Sequence, residues 1–148
     1  MVTEPNQRIG FWLKKIQQSG YRLTIPRKAV VEVVANTEKA LNPAEVYNEA
    51  RQRCSSLGLV TVYRTLEKLE ELNLIQRVHH MDGCHAFFYV AEGHKHLIIC
   101  TQCNRAEYFE GDDLSELFDR LGNESGYEVD DHWLQLFGVC SDCKRKSN

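Results

Sequence analysis

Two Cys-x-x-Cys pairs are the residues whose spacing most directly specifies chemistry. Cys100 and Cys103 form the first pair, and Cys140 and Cys143 form the second, with residues 104–139 between them. Four thiolates complete a tetrahedron around Zn²⁺ and leave no position open for a substrate. The pattern therefore predicts a structural zinc site that contributes to folding. A thiol oxidoreductase or an iron–thiolate redox protein is the alternative use of the same cysteines.

A second group of metal-ligand residues surrounds the middle of the chain. Histidines recur from His79 to His96, and His94 and His96 would share one face of a strand. Imidazole, thiolate and carboxylate together suit Zn²⁺, whereas Fe²⁺ prefers nitrogen and oxygen ligands without a thiolate. A lone histidine is more often a solvated surface residue, so the prediction depends on the clustering. The predicted regulatory ligands are His80, Cys84, His85, His94, His96 and Glu110.

A β-hairpin is predicted to position the first of these ligands. Asp82-Gly83 is a favoured two-residue turn of type I′. With this turn, His80 pairs with His85 and both rings lie on one face of the hairpin, while Cys84 lies on the other. A metal bound between the hairpin and His94 would clamp the two halves of the chain together and so set the geometry of DNA binding.

Four helices are predicted to precede this hairpin. Apolar spacing and capping residues indicate helices over residues 6–18, after Thr24, from Asn42 to about Arg53, and from Leu59 to about Asn73. Helices followed by a hairpin are typical of a winged helix-turn-helix, whose last helix enters the major groove. A basic surface helix without a DNA partner is the alternative. The predicted DNA contacts are Lys14, Arg22, Thr61, Tyr63 and Arg64.

The second half of the chain shows short strands around one helix. Alternation predicts strands at 96–100, 105–109 and 133–139, and the tail after Cys143 is expected to fray. The predicted helix is capped by Asp112 and turns Leu114, Leu117, Phe118 and Leu121 inward. A hinge at 91–93 divides the chain into a winged-helix domain over 1–90 and a small α/β domain over 91–148. The predicted fold class is α+β.

The charge distribution follows the same division. The 148 residues carry a net charge of −3. Residues 1–90 hold 12 Lys and Arg against 9 Asp and Glu, a net of +3, and residues 91–148 hold 6 against 12, a net of −6. The basic half favours a nucleic-acid partner. The sequence shows no apolar run long enough for a membrane span and no secretion signal, so a cytoplasmic protein is expected.

Several motifs stand in the order found in the ferric uptake regulator superfamily, and the chain resembles it over nearly its whole length. They are RLTIPR at 22–27, VTVYRTL at 60–66, HKH at 94–96, the first Cys-x-x-Cys, and FGVCSDC at 137–143. The resemblance implies a homodimeric repressor with a winged helix, a C-terminal dimerisation domain, and structural zinc on the four cysteines. Metal-loaded dimers of the superfamily bind AT-rich inverted repeats near metal-uptake genes. By resemblance, Tyr63 and Arg64 contact DNA, and His94 and His96 belong to the regulatory site.

Departures from the family pattern bear on the regulatory metal. Asn42 stands where many members have a ligand histidine, and the wing acid is missing near Phe88. The hairpin cysteine and the chain ending resemble zinc sensors, which favours Zn²⁺ over Fe²⁺ as the effector. A peroxide-sensing regulator of the same fold is the alternative. The family's further site would combine His132 and Glu116 with positions that here hold Gly93 and Lys95, and a protonated lysine cannot bind a metal, which argues against that site.

Overall fold

The first half of the protein consists of four helices and a hairpin. The computed structural model describes residues 4–80, 83–111 and 113–147. All four predicted helices are present, at α1 (Pro5–Gln18), α2 (Ile25–Asn36), α3 (Pro43–Arg53) and α4 (Leu59–Glu71). The hairpin, or wing, follows with β1 (Ile75–His79) and β2 (His85–Tyr89), which pair antiparallel.

Local signals explain where these helices begin. The Thr24 side chain accepts a hydrogen bond from the Arg27 backbone N–H at the start of α2. At α3, the Asn42 side chain accepts from the Glu45 backbone N–H at 2.9 Å, and the Glu45 carboxylate accepts from the Asn42 backbone N–H at 2.8 Å. This reciprocal capping box satisfies two backbone donors that a helix start leaves unpaired.

The register of the wing differs from the prediction by one residue. His79 pairs with His85 and Val78 pairs with Ala86, so the predicted pairing of His80 with His85 is wrong. The longer connection from His80 to Cys84 causes the shift, because β1 ends at His79. Asp82, part of the predicted turn, lies outside the described residues. A one-residue shift moves side chains to the opposite face, so His80 and His85 do not share a face.

The second half builds a three-stranded sheet flanked by helices. Its elements are β3 (His96–Cys100), β4 (Ala106–Phe109), α5 (Ser115–Ser125), β5 (Gln135–Gly138) and α6 (Ser141–Lys146). The central strand β3 is antiparallel to β4 and parallel to β5. The tail expected to fray forms α6 instead, because it begins at the second cysteine pair. The predicted cap Asp112 lies outside the described residues.

Two hydrophobic cores hold these elements. The first lies mainly between α1–α4, where Val30, Val46, Leu66 and Leu69 are fully buried, and it extends to Ile75 and Phe87 of the wing. The second joins the two halves of the chain. Its buried residues are Ala40, Val78, Ala86 and Phe88 from the first half, and Leu97, Ile99 and Ala106 from the second.

Helix α5 contrasts with both cores. Gly122 is its one buried residue. Leu117 and Leu121 were predicted to face inward, but they are 38% and 46% exposed. Ile98 and its partner across the β3–β5 pair, Leu136, are exposed as well. None of the helices in the described part of the chain is long and apolar enough to cross a membrane.

Candidate functional site

The four paired cysteines meet at one point beside the sheet. Cys100 ends β3, and Cys143 lies in α6. The Sγ atoms of Cys100 and Cys143 are 3.9 Å apart, and those of Cys103 and Cys140 are 3.7 Å apart. A tetrahedron with Zn–S bonds of about 2.3 Å has edges of about 3.8 Å. A disulfide needs sulfurs at about 2.05 Å. The spacing therefore fits four thiolates around Zn²⁺, and none of the four forms a disulfide.

The surroundings of these thiols favour a thiolate at Cys100. Burial raises its pKa, but the backbone N–H groups of Cys140, Cys103 and Gln102 together outweigh burial and lower it to about 6. The Cys140 N–H lies 3.3 Å from the Cys100 sulfur. At Cys143, a hydrogen bond with the Cys140 thiol and then burial raise the pKa to about 12. A bound metal would displace the remaining thiol protons, so metal binding releases protons here.

Three histidines form a second group at the other end of the sheet. The ligand nitrogens of His94, His96 and His132 lie within 4.8 Å of one another. The Nε2 atoms of His96 and His132 are buried and have no hydrogen-bond partner in the described structure. A buried polar atom left without a partner costs about 1–3 kcal/mol. A metal ion bound to both nitrogens would remove this cost, so the group fits a metal.

The protein shapes this histidine group from several sides. The rings of Phe109 and Phe118 lie 5.6 Å from His96 and 4.4 Å from His132, between centroids. Gly111 approaches the His96 ring so closely that a Cβ there would lie 2.2 Å from Cδ2. Burial, then the charges of His94 and His132, lower the pKa of His96. A lowered pKa favours the neutral imidazole, which is the form that binds metals.

The structure divides the predicted regulatory ligands. His94 and His96 join His132, but His80, Cys84, His85 and Glu110 belong to no shared group of three ligand residues with them in the described part of the chain. His80 bonds to Asn104, and His85 packs beside His79 with ring centroids 6.2 Å apart. His94 lies just before β3 and groups with His132, not with a described residue of the hairpin. The predicted metal clamp between the hairpin and the second half stays a prediction.

His132 was missing from the predicted ligand set. A signal for it exists in the topology. Parallel strands begin at the same edge of a sheet, and Leu97 of β3 pairs with Gln135 of β5. Residues just before β3 and just before β5 must therefore lie together. The sequence alone does not show that these two strands are neighbours. Gly93 and Lys95 therefore argue against a site with His132, whereas in the structure His94 and His96 are the residues that join it.

The predicted DNA contacts lie on the helical half. Lys14, Arg22, Tyr63 and Arg64 are exposed, and Thr61 is half-buried. Two residues at the start of α4, Leu59 and Val60, are also exposed. An apolar side chain on a groove-facing helix can contact a thymine methyl group, so Val60, at 64% exposure, extends the predicted contact set.

A winged helix joined to a cysteine-rich sheet domain with a second group of histidines defines a class, the metal-binding transcription regulators. The sequence pattern of the Ferric uptake regulator family matches residues 18–137. A relative, the ferric uptake regulation protein of Neisseria meningitidis serogroup B, is 30% identical over 136 residues, covering 90% of this chain and 94% of the relative. The chain belongs to the ferric uptake regulator family, whose members are metal-responsive transcription regulators and not enzymes.

Solved structures agree with this assignment. A zinc-bound manganese uptake regulator is 25% identical, with a TM-score of 0.71 over 87% of this chain and 98% of that one. A zinc uptake regulator complexed with zinc and DNA is 18% identical, with a TM-score of 0.68 over 98% of each chain. The second similarity shows the shared fold. Proteins of this family bind DNA and form dimers.

Proposed function

We propose that this protein is a cytoplasmic, zinc-responsive repressor that binds AT-rich inverted repeats as a metal-loaded homodimer and controls metal uptake. The observation that supports this proposal is the group of His94, His96 and His132, in which two buried ring nitrogens lack a hydrogen-bond partner in the described structure. Zinc at the four cysteines serves the fold. Metal at the three histidines is the regulatory signal.

The ligand set supports zinc over iron as that signal. Three imidazoles without a carboxylate are a common Zn²⁺ arrangement, whereas non-haem Fe²⁺ sites typically combine two histidines with one carboxylate. The fourth zinc position would be filled by water or by a further ligand. Cys84 does not contribute to this preference, because its exposed thiol is not in the group.

The apolar surface on the second half supports a homodimer. Leu117 and Leu121 of α5, with Ile98 and Leu136 of the sheet, present exposed apolar side chains. Exposed apolar surface of this kind marks a protein contact. A two-fold dimer carries two winged helices, which matches the symmetry of an inverted-repeat operator.

Separate titrations with Zn²⁺, Fe²⁺ and Mn²⁺ test the regulatory site. We expect Zn²⁺ beyond the structural equivalent to bind tightly and to raise the affinity for an inverted-repeat duplex. The duplex is first selected from random sequences with the zinc-loaded protein. His132→Ala should lose both the second zinc equivalent and the gain in DNA affinity.

His85→Ala is the matched control, because His85 is exposed and lies outside the group. It should respond to zinc as the wild type does. Equal DNA affinity with and without the second equivalent of any of the three metals would refute metal sensing. A stronger response to Fe²⁺ than to Zn²⁺ would refute the choice of zinc.

A further inference from the structure

Two residues next to the histidine group touch the wing. Trp133 follows His132 directly, and its ring meets the His79 ring edge-on at 5.3 Å between centroids. Gln135, two residues further, bonds to both backbone groups of His79. The His79 backbone N–H donates to Oε1 of Gln135 at 3.2 Å, and Nε2 of Gln135 donates to the His79 carbonyl at 2.6 Å.

These two hydrogen bonds form a specific attachment between Gln135 and the wing. A side-chain amide that binds the N–H and the C=O of one residue imitates a rung of a β-ladder on the outer edge of β1. His79 is the last residue of β1, and its partner in β2 is His85. The attachment therefore holds the tip of the wing, the part furthest from the first core.

In the described structure, the two positions where relatives were expected to place metal ligands serve other roles in this chain. Asn42, at the position where relatives were expected to place a ligand histidine, is used in the capping box of α3. Phe88, at the expected wing acid, is buried in the second core. Metal at the three histidines would thus contact the second half of the chain alone, since none of its ligands lies in residues 4–80.

We propose that Trp133 and Gln135 are positioning residues that transmit metal occupancy of the histidine group to the wing. A metal that binds His132 to His94 and His96 fixes the start of the segment 132–135, and the same segment holds His79. With the metal present, the tip of the wing is held in one orientation. Without it, the segment and the wing tip gain freedom, while the second core keeps the rest of the wing in place. Both states then differ in how the wing meets DNA. This inference rests on the proposed function.

The test uses three variants of the protein, Trp133→Ala, Gln135→Ala and the double variant, with Gln52→Ala as the control. Gln52 is an exposed glutamine on α3 and lies outside the wing and both candidate metal groups. Two quantities are measured for each: zinc affinity, by competition with a chromophoric chelator, and affinity for the selected duplex with and without zinc.

We expect the wild type and the control to gain about 5–150-fold in DNA affinity on zinc binding, the usual range for coupled sites. The double variant should still bind the second zinc equivalent, yet gain less than about twofold. Gln135→Met keeps the side-chain size and removes both hydrogen bonds, so it should lose part of the gain even if the double variant folds poorly.

Quenching of tryptophan fluorescence by iodide gives an independent readout. Trp133 is 54% exposed and Trp12 is 3% exposed, so the quencher reports mainly on Trp133. Zinc should reduce quenching in the wild type and in Gln52→Ala, and Gln135→Met should weaken this reduction.

A double variant that binds zinc and keeps the full gain would overturn the proposal. A double variant that loses the second zinc equivalent would overturn it as well, because the two residues would then serve the site and not its transmission. Failure of the proposed function looks different, since the wild type itself would bind no second zinc or show no gain.

Discussion

The two halves of this protein complete their interiors in different ways. In the helical half, side chains of α1, α2, α3 and α4 bury one another, and Val30, Val46 and Leu69 are fully buried. In the second half, α5 buries Gly122 alone, and Leu117 and Leu121 remain exposed. Four thiols and three imidazoles cluster there in two groups that fit metal ions.

This difference separates a self-sufficient region from a dependent one. A region whose side chains bury one another can fold without a ligand. A region that brings metal ligands together and exposes apolar surface is stabilised by a bound ion and a second subunit. The half that holds both candidate metal groups is then the half whose stability depends on a bound ion and a partner subunit.

Removal of a zinc ligand should have the largest effect. Cys140→Ser leaves three thiols, and structural zinc contributes about 10–16 kcal/mol in small zinc-binding peptides, comparable to the stability of a whole domain. We expect loss of bound zinc, unfolding of the sheet half and loss of dimers, while the helices of the first half persist. Zinc content, circular dichroism and sedimentation measure these outcomes.

Cys84→Ser is the control, because Cys84 is an exposed thiol outside the group. It should retain zinc and the dimer. If Cys140→Ser unfolded the helical half to the same extent, the two halves would not differ in the way described.

Leucine truncation in each half compares the two interiors directly. Leu66 in the first core is 1% exposed, so Leu66→Ala should lower the free energy of unfolding by about 2–5 kcal/mol. Leu121→Ala should change the unfolding of a monomer by less than about 0.5 kcal/mol, yet weaken dimerisation. Urea unfolding and the dimer dissociation constant are measured for both variants. Equal losses of unfolding free energy in Leu66→Ala and Leu121→Ala would contradict the difference between the two halves.

A change on the recognition helix should affect DNA and leave the fold intact. Arg64 is exposed on α4, and Arg64→Ala should weaken specific DNA binding by about 1–3 kcal/mol. Arg51→Ala, an exposed arginine on α3 that bonds to Tyr47, is the control with unchanged DNA affinity. Fluorescence anisotropy with the selected duplex measures both, and wild-type affinity in Arg64→Ala would refute the assignment of α4 as the recognition helix.

The smallest effect is expected at Asn42. Asn42→Ala removes the capping box of α3 and should lower the free energy of unfolding by about 1 kcal/mol. Zinc affinity should not change, because this residue caps a helix in this chain and contacts no candidate metal site in the described structure. A large loss of zinc affinity would show that the position of Asn42 does contribute to metal binding.

Prediction from sequence succeeded where the determining interactions are local. Thr24 and Asn42 mark helix starts within their own turns, and the apolar spacing of α4 needs no distant partner. The grouping of the four paired cysteines could also be predicted, since the spacing of two Cys-x-x-Cys pairs indicates a shared metal site. His132 was missed because its neighbours are set by the pairing of β3 with β5, and the wing register was missed because the connection after His79 is longer than a two-residue turn.

The exposed face of α5 was misjudged for a related reason. Its apolar residues at helical spacing indicate burial, but a single sequence does not say whether the covering surface belongs to the same chain. Leu117 and Leu121 are exposed in the single chain, and a partner subunit is the surface that would cover them.

The two candidate metal groups occupy opposite ends of one pair of strands. His96 begins β3 and Cys100 ends it, while the stretch from His132 to Cys140 contains β5. Insertion or deletion of one residue within either strand would misalign both groups at once and reverse the faces of the sheet. Length variation among relatives of this chain should therefore be confined to the connections at 110–114 and 126–131, where it leaves the Cys-x-x-Cys spacing and both strands unchanged.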